Sequence, residues 1–206
     1  PSLLPAYRGA SPIAEALLRG DAVVGTSIVK VSLKVDAGDV YLQEKMTLEG
    51  HENAEEVWNR LAAVSAKLFV RTLDGIEDGS MRAVAQDESR ATLCRKLSKE
   101  DGRIDWSADA GSIHNRVRAL YLWPGAWSIL EGSKVRILKS VMSEMTLQAD
   151  AAPGTIVFVG REGIGVRTGG GILTILRLQM EGSRPLDAQE FLNGRNLKEG
   201  QRFDHE

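Results

Sequence analysis

The spacing of apolar residues over the first 79 positions predicts a helix, two strands and a second helix, in that order. Ser11 and Pro12 are suited to the N-cap and the first turn of a helix, and apolar residues follow them directly. Residues 25–31 and 40–46 are rich in β-branched or alternating apolar side chains, which predicts two strands. The Asp and Gly residues of 36–39 predict a tight turn between these strands. This order is typical of the second half of an α/β domain.

A long amphipathic helix is predicted after the second strand. Asn53 is placed to cap its N-terminus, and Glu56 is placed to bond back to the capping residue. Apolar residues then recur at helical spacing and predict one buried face: Val57, Leu61, Val64, Leu68, Phe69, Leu73 and Ile76. Gly75 and Gly79 predict the end of this helix.

The second part of the chain changes to short apolar runs separated by glycine-containing turns. Before it, the polar stretch 80–91 lacks periodicity and predicts a linker. Helices are predicted over 108–120 and 187–192, and short strands over 126–130, 135–141, 154–159, 163–168 and 171–178. Strands this short and evenly spaced are typical of a small antiparallel barrel. The predicted domains are therefore residues 1–79 and 92–206, joined by the linker.

Composition narrows the class of protein only modestly. A hydrophobic fraction of 43% and a charged fraction of 26% are ordinary for a soluble globular protein. No apolar run approaches the ~18 residues of a membrane-spanning helix, so no membrane partner is expected. The single cysteine, Cys94, excludes an internal disulfide and fits a reducing compartment. Residues 91–206 carry 16 basic against 14 acidic side chains, which suggests an acidic partner without requiring one.

The first nine residues place apolar side chains between two prolines. Pro1 and Pro5 fix φ and lack an amide donor, so the segment cannot be the interior of a helix or a central strand. Leu3, Leu4 and Tyr7 nevertheless favour burial. A rigid, partly buried loop of this kind serves as a structural connection about as often as it serves as a binding loop. The residues alone leave both interpretations open.

Asp36 is the best single candidate for chemistry. It follows a predicted strand, at the carboxyl edge where open α/β sheets bind their ligands. Aspartate in an Asp-x-Gly-Asp stretch is nonetheless more often a turn former, so a purely structural Asp36 also stays open. No spacing typical of a metal site occurs, and Gly169–Gly171 predicts a hairpin turn and not a phosphate-binding loop.

The sequence resembles the folate-dependent formyltransferases in two stretches. Ser2-Leu3-Leu4-Pro5, followed by Tyr7-Arg8-Gly9-Ala10, resembles the signature loop of that family, most of all in the branch that formylates methionyl-tRNA. The segment 35–39 resembles its Leu-Asp-x-Gly turn, whose first aspartate is catalytic in the family. Ser32 and Leu33 depart from the pattern, since these positions are commonly acidic in bacterial members. The resemblance implies an α/β fold class, with the C-terminal part of a Rossmann-like formyltransferase domain followed by a small OB-like antiparallel β-barrel.

The resemblance also implies roles at the active site. Asp36 is expected to be catalytic, keeping a histidine protonated and orienting a water that relays a proton. The folate pocket is expected to be lined by Ser2, Leu3, Leu4, Pro5, Leu33 and Val35. In the family, an Asn and a His that hold the oxyanion come just before the residue that matches Pro1. We therefore expect the sequence to lack roughly the first third of the enzyme, a length of about one small domain, and to be inactive by itself.

The stretch 96–106 resembles the part of the family that opens the barrel and faces the tRNA acceptor arm. The cations expected to contact tRNA phosphates are Lys96, Lys99, Arg103, Arg116 and Arg118. Three further cations extend this patch: Lys134, Arg136 and Lys139. A solvated surface is the alternative, and it is the more frequent explanation of a basic run. For Trp123 and Trp127, which flank a Pro-Gly-Ala turn, packing is favoured over the stacking of bases.

A reaction and its partners follow from the resemblance. The enzyme is expected to move a formyl group from 10-formyltetrahydrofolate to the amino group of initiator methionyl-tRNA, for translation initiation and without a metal. It is expected to be cytoplasmic and monomeric. One alternative is another folate enzyme, either an amino-sugar formyltransferase or the formyl-hydrolase part of formyltetrahydrofolate dehydrogenase. A second alternative is a noncatalytic tRNA-binding fragment.

Overall fold

The computed structural model describes residues 1–145 and 151–204, and it divides into two compact units, Pro1–Leu97 and Ser98–Glu206. Residues 80–91, predicted as a linker, lie within the first unit and hydrogen-bond to other parts of it. The predicted domain limits at residues 79 and 92 stay a prediction. Among the described residues, no helix combines the length and the hydropathy that crossing a lipid bilayer requires.

The first unit contains two α-helices, a short 3-10 helix at Glu88–Arg90 and two small sheets. Its elements, in chain order, are β1 (Arg8–Gly9), α1 (Pro12–Arg19), β2 (Val23–Val29), β3 (Val40–Thr47), α2 (Ala54–Glu77) and β4 (Leu93–Cys94). Strands β2 and β3 form an antiparallel pair, and β1 pairs in parallel with β4. The predicted order of helix, strand, strand and helix is confirmed. The β1–β4 pair was not predicted, because strands of two residues carry no periodicity.

Helix α1 begins where its sequence signals predict. Pro12 occupies the first helical position, where its missing amide proton costs no hydrogen bond, and Ser11 occupies the N-cap position. Gly20 ends the helix with a φ of 74°, and its amide bonds back to the carbonyl groups of Ala16 and Leu17. A glycine is favoured here because side chains with a Cβ atom rarely adopt this conformation.

Helix α2 begins with the predicted capping box. The Asn53 side-chain oxygen accepts hydrogen bonds from the amides of Glu55 at 2.9 Å and Glu56 at 3.1 Å. The Glu56 carboxylate in turn accepts a hydrogen bond from the Asn53 amide at 2.8 Å. Val57 and Leu61 then begin the face that packs against β2 and β3.

The predicted apolar face of α2 is only partly buried. Leu61 and Leu68 are buried, whereas Phe69, Leu73 and Ile76 have exposed fractions between 42% and 50%. Successive residues of a helix point about 100° apart, so Leu68 and Phe69 cannot face the same neighbour. The prediction of a single buried face was therefore wrong for its second half.

The turn before α2 is organised around the buried carboxylate of Glu52. Its oxygens accept hydrogen bonds from the amides of Glu49 and Gly50 at 2.9–3.0 Å and from Arg60 Nη1 at 2.6 Å. Burial by itself raises the pKa of this carboxyl group. The hydrogen bonds outweigh burial and lower the pKa of Glu52 to about 2.

We expect Glu52 to make the stability of the fold depend on acid pH. Its pKa is lower in the folded than in the unfolded chain, so it stabilises the fold above the ordinary value of 4.5 and loses this effect towards pH 2. The Glu52→Gln variant should lose about 2–3 kcal/mol of unfolding free energy at neutral pH. In chemical denaturation, its difference from the wild type should shrink steadily below pH 4.5. A loss of the same size at neutral and at acid pH would contradict this account, and Glu44→Gln on the exposed face of β3 serves as the control.

The described residues of the second unit form an antiparallel sheet accompanied by two α-helices. Its elements are α3 (Ala110–Ala119), β5 (Ala126–Leu130), β6 (Ser133–Met142), β7 (Ile156–Gly160), β8 (Gly163–Arg167), β9 (Ile172–Met180), β10 (Leu186–Asp187), α4 (Ala188–Asn193) and β11 (Phe203–Asp204). The strand order is β11–β5–β6–β9–β8–β7, and β10 pairs with β9. The strands and the two helices predicted for this part of the chain are confirmed within a few residues.

The two outer strands of this sheet, β7 and β11, meet at their ends. Thr155 and Arg202 form an antiparallel bridge, and the amide of Phe203 donates to the carbonyl of Gly154 at 2.9 Å. The side chain of Phe203 is fully buried against Trp106, with ring centroids 5.1 Å apart. Strand β11 therefore pairs at the edge of the sheet, and its Phe203 side chain also fills part of the hydrophobic core.

Candidate functional site

The N-terminal loop is held against the β2–β3 hairpin by two polar side chains. The Ser27 hydroxyl on β2 accepts a hydrogen bond from the Leu4 amide at 3.0 Å and donates to the Ser2 carbonyl at 2.7 Å. The Gln43 amide on β3 donates to the Leu4 carbonyl at 2.7 Å. These bonds satisfy backbone groups that have no ladder or helix to join.

A cavity of about 160 Å³ lies beside this loop. Ser2 and Leu3 form part of its wall, together with Ile13 of α1 and Val24 of β2. Six residues are predicted from the sequence to line a folate pocket, and two of them, Ser2 and Leu3, line this cavity. The other four do not line it: Leu4, Pro5, Leu33 and Val35.

Tyr7 and Asp21 form a hydrogen-bonded pair in the cavity wall. The Tyr7 hydroxyl donates a hydrogen bond to Asp21 Oδ2 at 2.6 Å. Burial, together with this bond and the charge of Asp21, raises the pKa of Tyr7 to about 12. Tyr7 is therefore a neutral hydrogen-bond donor at physiological pH. This pair was not predicted from the sequence, because no spacing rule connects a loop tyrosine with an aspartate beyond the following helix.

The loop between β2 and β3 carries Asp36 among exposed apolar side chains. Leu33 and Val35 have exposed fractions of 107% and 73%. Asp36 has a φ of 52°, a left-handed conformation that few residues other than glycine adopt. Gly38 is needed two residues later, since a Cβ atom there would lie 1.7 Å from the carbonyl oxygen of Lys30.

Residues from two other segments hold the Asp36 turn. The Gly9 amide donates to Asp36 Oδ2 at 2.8 Å, which joins the carboxylate to the N-terminal loop. The side-chain amide of Gln86 donates to the carbonyl oxygens of Asp36 at 2.8 Å and Gly38 at 2.6 Å. Sequence analysis did not single out Gln86, because the polar stretch around it looks like a linker.

The candidate catalytic group of the first unit is the exposed carboxylate of Asp36, which lies in a loop with exposed apolar side chains. Asp36 can accept a proton or orient a cationic group, the tasks of a carboxylate in general acid–base catalysis. Across residues 1–145 and 151–204, no three His, Cys, Asp or Glu side chains are grouped so that they could hold a metal ion.

The cations predicted to contact tRNA lie in different settings. Lys96 and Lys99 are both exposed, but Lys96 belongs to the first unit and Lys99 to the second. Arg116 donates to a backbone carbonyl at 2.5 Å. Arg118 is only 6% exposed and donates to Asn115 Oδ1 at 2.8 Å. A phosphate contact needs an accessible guanidinium, so the burial of Arg118 disagrees with its predicted role.

Arg103 and Lys134 lie over the indole ring of Trp127. The guanidinium carbon is 5.7 Å and the Lys134 Nζ is 4.1 Å from the ring centroid, distances at which a cation is attracted to an aromatic face. Trp127 Nε1 donates to the Lys99 carbonyl at 3.3 Å. Side chains alternate between the two faces of β5, so Trp127 points to the face opposite the buried side chain of Ala126. Sequence analysis favoured packing for this tryptophan and missed the two cations over its ring.

Two family models match most of the chain. The model described as formyl transferase matches residues 1–73, and the model described as formyl transferase, C-terminal domain, matches residues 96–196. The chain is 40% identical over 202 residues to a methionyl-tRNA formyltransferase from Solibacter usitatus, covering 98% of this chain and 64% of that protein. It is 37% identical over 197 residues to a methionyl-tRNA formyltransferase from Treponema pallidum, covering 96% of this chain and 62% of that protein.

A solved structure shares the fold at low sequence identity. The crystal structure of HypX from Aquifex aeolicus in complex with tetrahydrofolic acid superimposes with a TM-score of 0.72 and 19% identity. The match covers all of this chain and 38% of that protein. The chain spans less than two thirds of the length of the two curated relatives described above.

Replacing Gly38 should disturb the Asp36 turn. A Cβ atom at position 38 would meet the Lys30 carbonyl, a backbone atom that cannot move alone. We expect Gly38→Ala to destabilise the first unit by about 1–3 kcal/mol, as overpacking does elsewhere, and to lower its thermal midpoint. Gly160→Ala is the matched control, since an added Cβ there has open space among the described residues. Equal melting of both variants and the wild type would contradict the proposed close approach.

Proposed function

The chain belongs to the formyl transferase family, and we propose that it serves the transfer of a formyl group from 10-formyltetrahydrofolate to the amino group of methionyl-tRNA. The names of the two relatives support methionyl-tRNA as the acceptor, since both proteins are 37–40% identical to the chain along nearly its whole length. The observation that carries the proposal is the turn that holds Asp36 in a left-handed conformation, with its carboxylate bonded to the N-terminal loop.

Asp36 is proposed as the catalytic carboxylate. Transfer of a formyl group passes through a tetrahedral oxyanion and requires that a proton leave the attacking amine. Asp36 Oδ2 accepts a hydrogen bond from the Gly9 amide, which is one of the contacts that orient the carboxylate. The exposed position of Asp36 leaves the group accessible to the histidine and the water that the family resemblance assigns to the proton relay.

The folate donor is proposed to bind between the N-terminal loop and the Asp36 loop. Ser2 and Leu3 already line a cavity, and the apolar side chains of Leu33 and Val35 are exposed in the loop that carries the catalytic turn. A flat heterocycle would cover such apolar groups and remove them from water. Leu4 and Pro5 are proposed to set the shape of the loop. Ser27 and Gln43 bond to the backbone of Leu4, and the Pro5 carbonyl accepts a hydrogen bond from the Thr92 amide at 3.2 Å.

The second unit is proposed to be an OB-like barrel that binds tRNA. The contact between the ends of β7 and β11 at Thr155 and Arg202 supports closure of the sheet. Lys99, Arg103 and Arg116 are proposed to contact phosphates, as is Lys96 at the end of the first unit. Arg118 is left out of this set because its guanidinium is buried.

Trp127 and Lys134 are added to the proposed tRNA surface. Lys134 and Arg103 both lie within about 6 Å of the centroid of the Trp127 ring. Paired charges of this kind favour a polyanion such as RNA over a small neutral substrate. We also infer that the protein acts in the cytoplasm and as a monomer.

Asp36→Asn tests the catalytic proposal. We expect formyl transfer to methionyl-tRNA, measured with labelled 10-formyltetrahydrofolate and the full-length protein, to fall by about 10²- to 10⁴-fold, the usual contribution of an acid–base group. The amide keeps the shape of the turn and removes the negative charge. Asp39→Asn in the same turn is the control and should retain most activity. Comparable activity in Asp36→Asn and the wild type would contradict the assignment.

The paired variant Arg103→Ala with Lys134→Ala tests the tRNA surface. Each lost phosphate contact should reduce the slope of log affinity against log salt by about 0.7–0.9, so the loss of both cations should reduce it by about 1.4–1.8, because fewer counterions are released on binding. Affinity for methionyl-tRNA at low salt should fall with little dependence on base sequence. Arg161→Ala, an exposed cation in the turn between β7 and β8, is the matched control. A similar change in slope for Arg161→Ala would show that general charge, and not this surface, binds the RNA.

A further inference from the structure

We propose that Gln86 is a positioning residue, whose side-chain amide couples the N-terminal loop to the Asp36 turn and thereby sets the direction of the Asp36 carboxylate. This inference rests on the proposed function, in which Asp36 takes part in formyl transfer. Gln86 lies between α2 and β4, in a stretch without regular secondary structure. Its role follows from the hydrogen bonds on the two sides of its amide group.

The side-chain oxygen of Gln86 accepts hydrogen bonds from the buried side chain of Arg8. Arg8 Nε donates to Gln86 Oε1 at 3.1 Å, and Arg8 Nη2 donates to the same oxygen at 2.8 Å. Glu88 completes the arrangement by accepting from Arg8 Nη1 at 3.0 Å and from Nη2 at 2.7 Å. Arg8 is 6% exposed, and a charge buried to this degree has to be paired. Gln86 Oε1 is therefore fixed in place by a rigid planar donor.

The nitrogen of the same amide donates hydrogen bonds to the turn that carries Asp36. Gln86 Nε2 donates to the carbonyl oxygens of Asp36 at 2.8 Å and Gly38 at 2.6 Å. A primary amide has two donor hydrogens and an oxygen with two lone pairs, and all four are used here. Rotating the amide by half a turn would set its oxygen against two carbonyls and its nitrogen against a guanidinium. Only one orientation of Gln86 is therefore compatible with its neighbours.

The Asp36 turn depends on such external bonds. Asp36 adopts a φ of 52°, which is unfavourable for a residue with a Cβ atom, so surrounding contacts must hold it there. Gln86 holds the backbone of the turn, and the Gly9 amide holds the carboxylate at 2.8 Å. Gly9 directly follows Arg8 in the chain. The bond from Gln86 to the Asp36 carbonyl and the bond from Gly9 to the Asp36 carboxylate therefore both depend on the position of the Arg8–Gly9 segment. Removal of the Gln86 donors should let the carboxylate change direction without unfolding the unit.

A purely structural clip is the competing explanation, and Gln86→Glu separates the two. Glutamate keeps the volume and an oxygen that can accept from Arg8, and its charge suits a guanidinium partner. It removes both donors to the carbonyls of Asp36 and Gly38. If Gln86 serves only to hold Arg8, loss of its bonds to the turn should leave kcat at the wild-type value. If it positions Asp36, we expect kcat to fall about 10- to 100-fold, the effect of a misplacement of roughly 1 Å, while KM for both substrates changes little.

Two further variants complete the steady-state experiment. Gln86→Met removes the bonds on both sides at similar volume and should lower kcat at least as far as Gln86→Glu. Gln201→Ala is the control, because this glutamine also joins two segments, accepting from the Lys198 amide at 2.6 Å and donating to Glu131 at 2.7 Å. It lies in the second unit and should leave kcat near that of the wild type. An unchanged kcat in Gln86→Glu, or an equal fall in Gln201→Ala, would overturn the proposal.

Amide hydrogen exchange supplies a readout that does not require activity. Exchange of the amides of residues 36–39 should become faster in Gln86→Glu and stay unchanged in Gln201→Ala. These kinetic and exchange measurements use the full-length protein; if its wild type transfers no formyl group, the proposed function fails while the exchange result still tests the coupling between Gln86 and the turn. If exchange becomes faster but kcat is unchanged in an active enzyme, the positioning role is overturned and the proposed function stands.

Discussion

The burial of one guanidinium determines how the first unit is assembled. An arginine keeps its charge when it is buried, so it must be surrounded by groups that accept hydrogen bonds. Arg8 obtains them from Gln86 and Glu88, which come from a distant part of the chain. This requirement draws the stretch before β4 alongside the N-terminal loop, where β1 and β4 then pair. The loop that carries Asp36 is bonded to the same glutamine, so three separate segments meet around a single cation.

Features set by near neighbours in the chain could be predicted from the sequence, and features set by distant ones could not. The capping box at Asn53 and the start of α1 at Pro12 involve residues within one helical turn, and both predictions were correct. Gln86 was interpreted as part of a linker, because its partners lie about 50 and 80 positions away. Phe69 shows the same limit, since periodicity identifies apolar residues without showing which of them a neighbour will cover.

The candidate site divides in the same way. The position of Asp36 was inferred from the turn motif and the family resemblance, while its left-handed backbone and its bond to Gly9 became visible only in the fold. For the predicted tRNA contacts, residue type alone could not separate the buried Arg118 from the accessible Lys99. Charge is a property of the residue, whereas accessibility is a property of the packing around it.

The position of β11 bears on the order in which this protein can fold during synthesis. Residues 200–204 pair with β5 and bond to the start of β7, and Phe203 fills the core beside Trp106. None of these interactions can form until strand β11 has left the ribosome. The first unit, which ends at residue 97, can fold while the second is still being translated. A nascent chain would therefore hold a finished Asp36 turn before it holds a finished sheet.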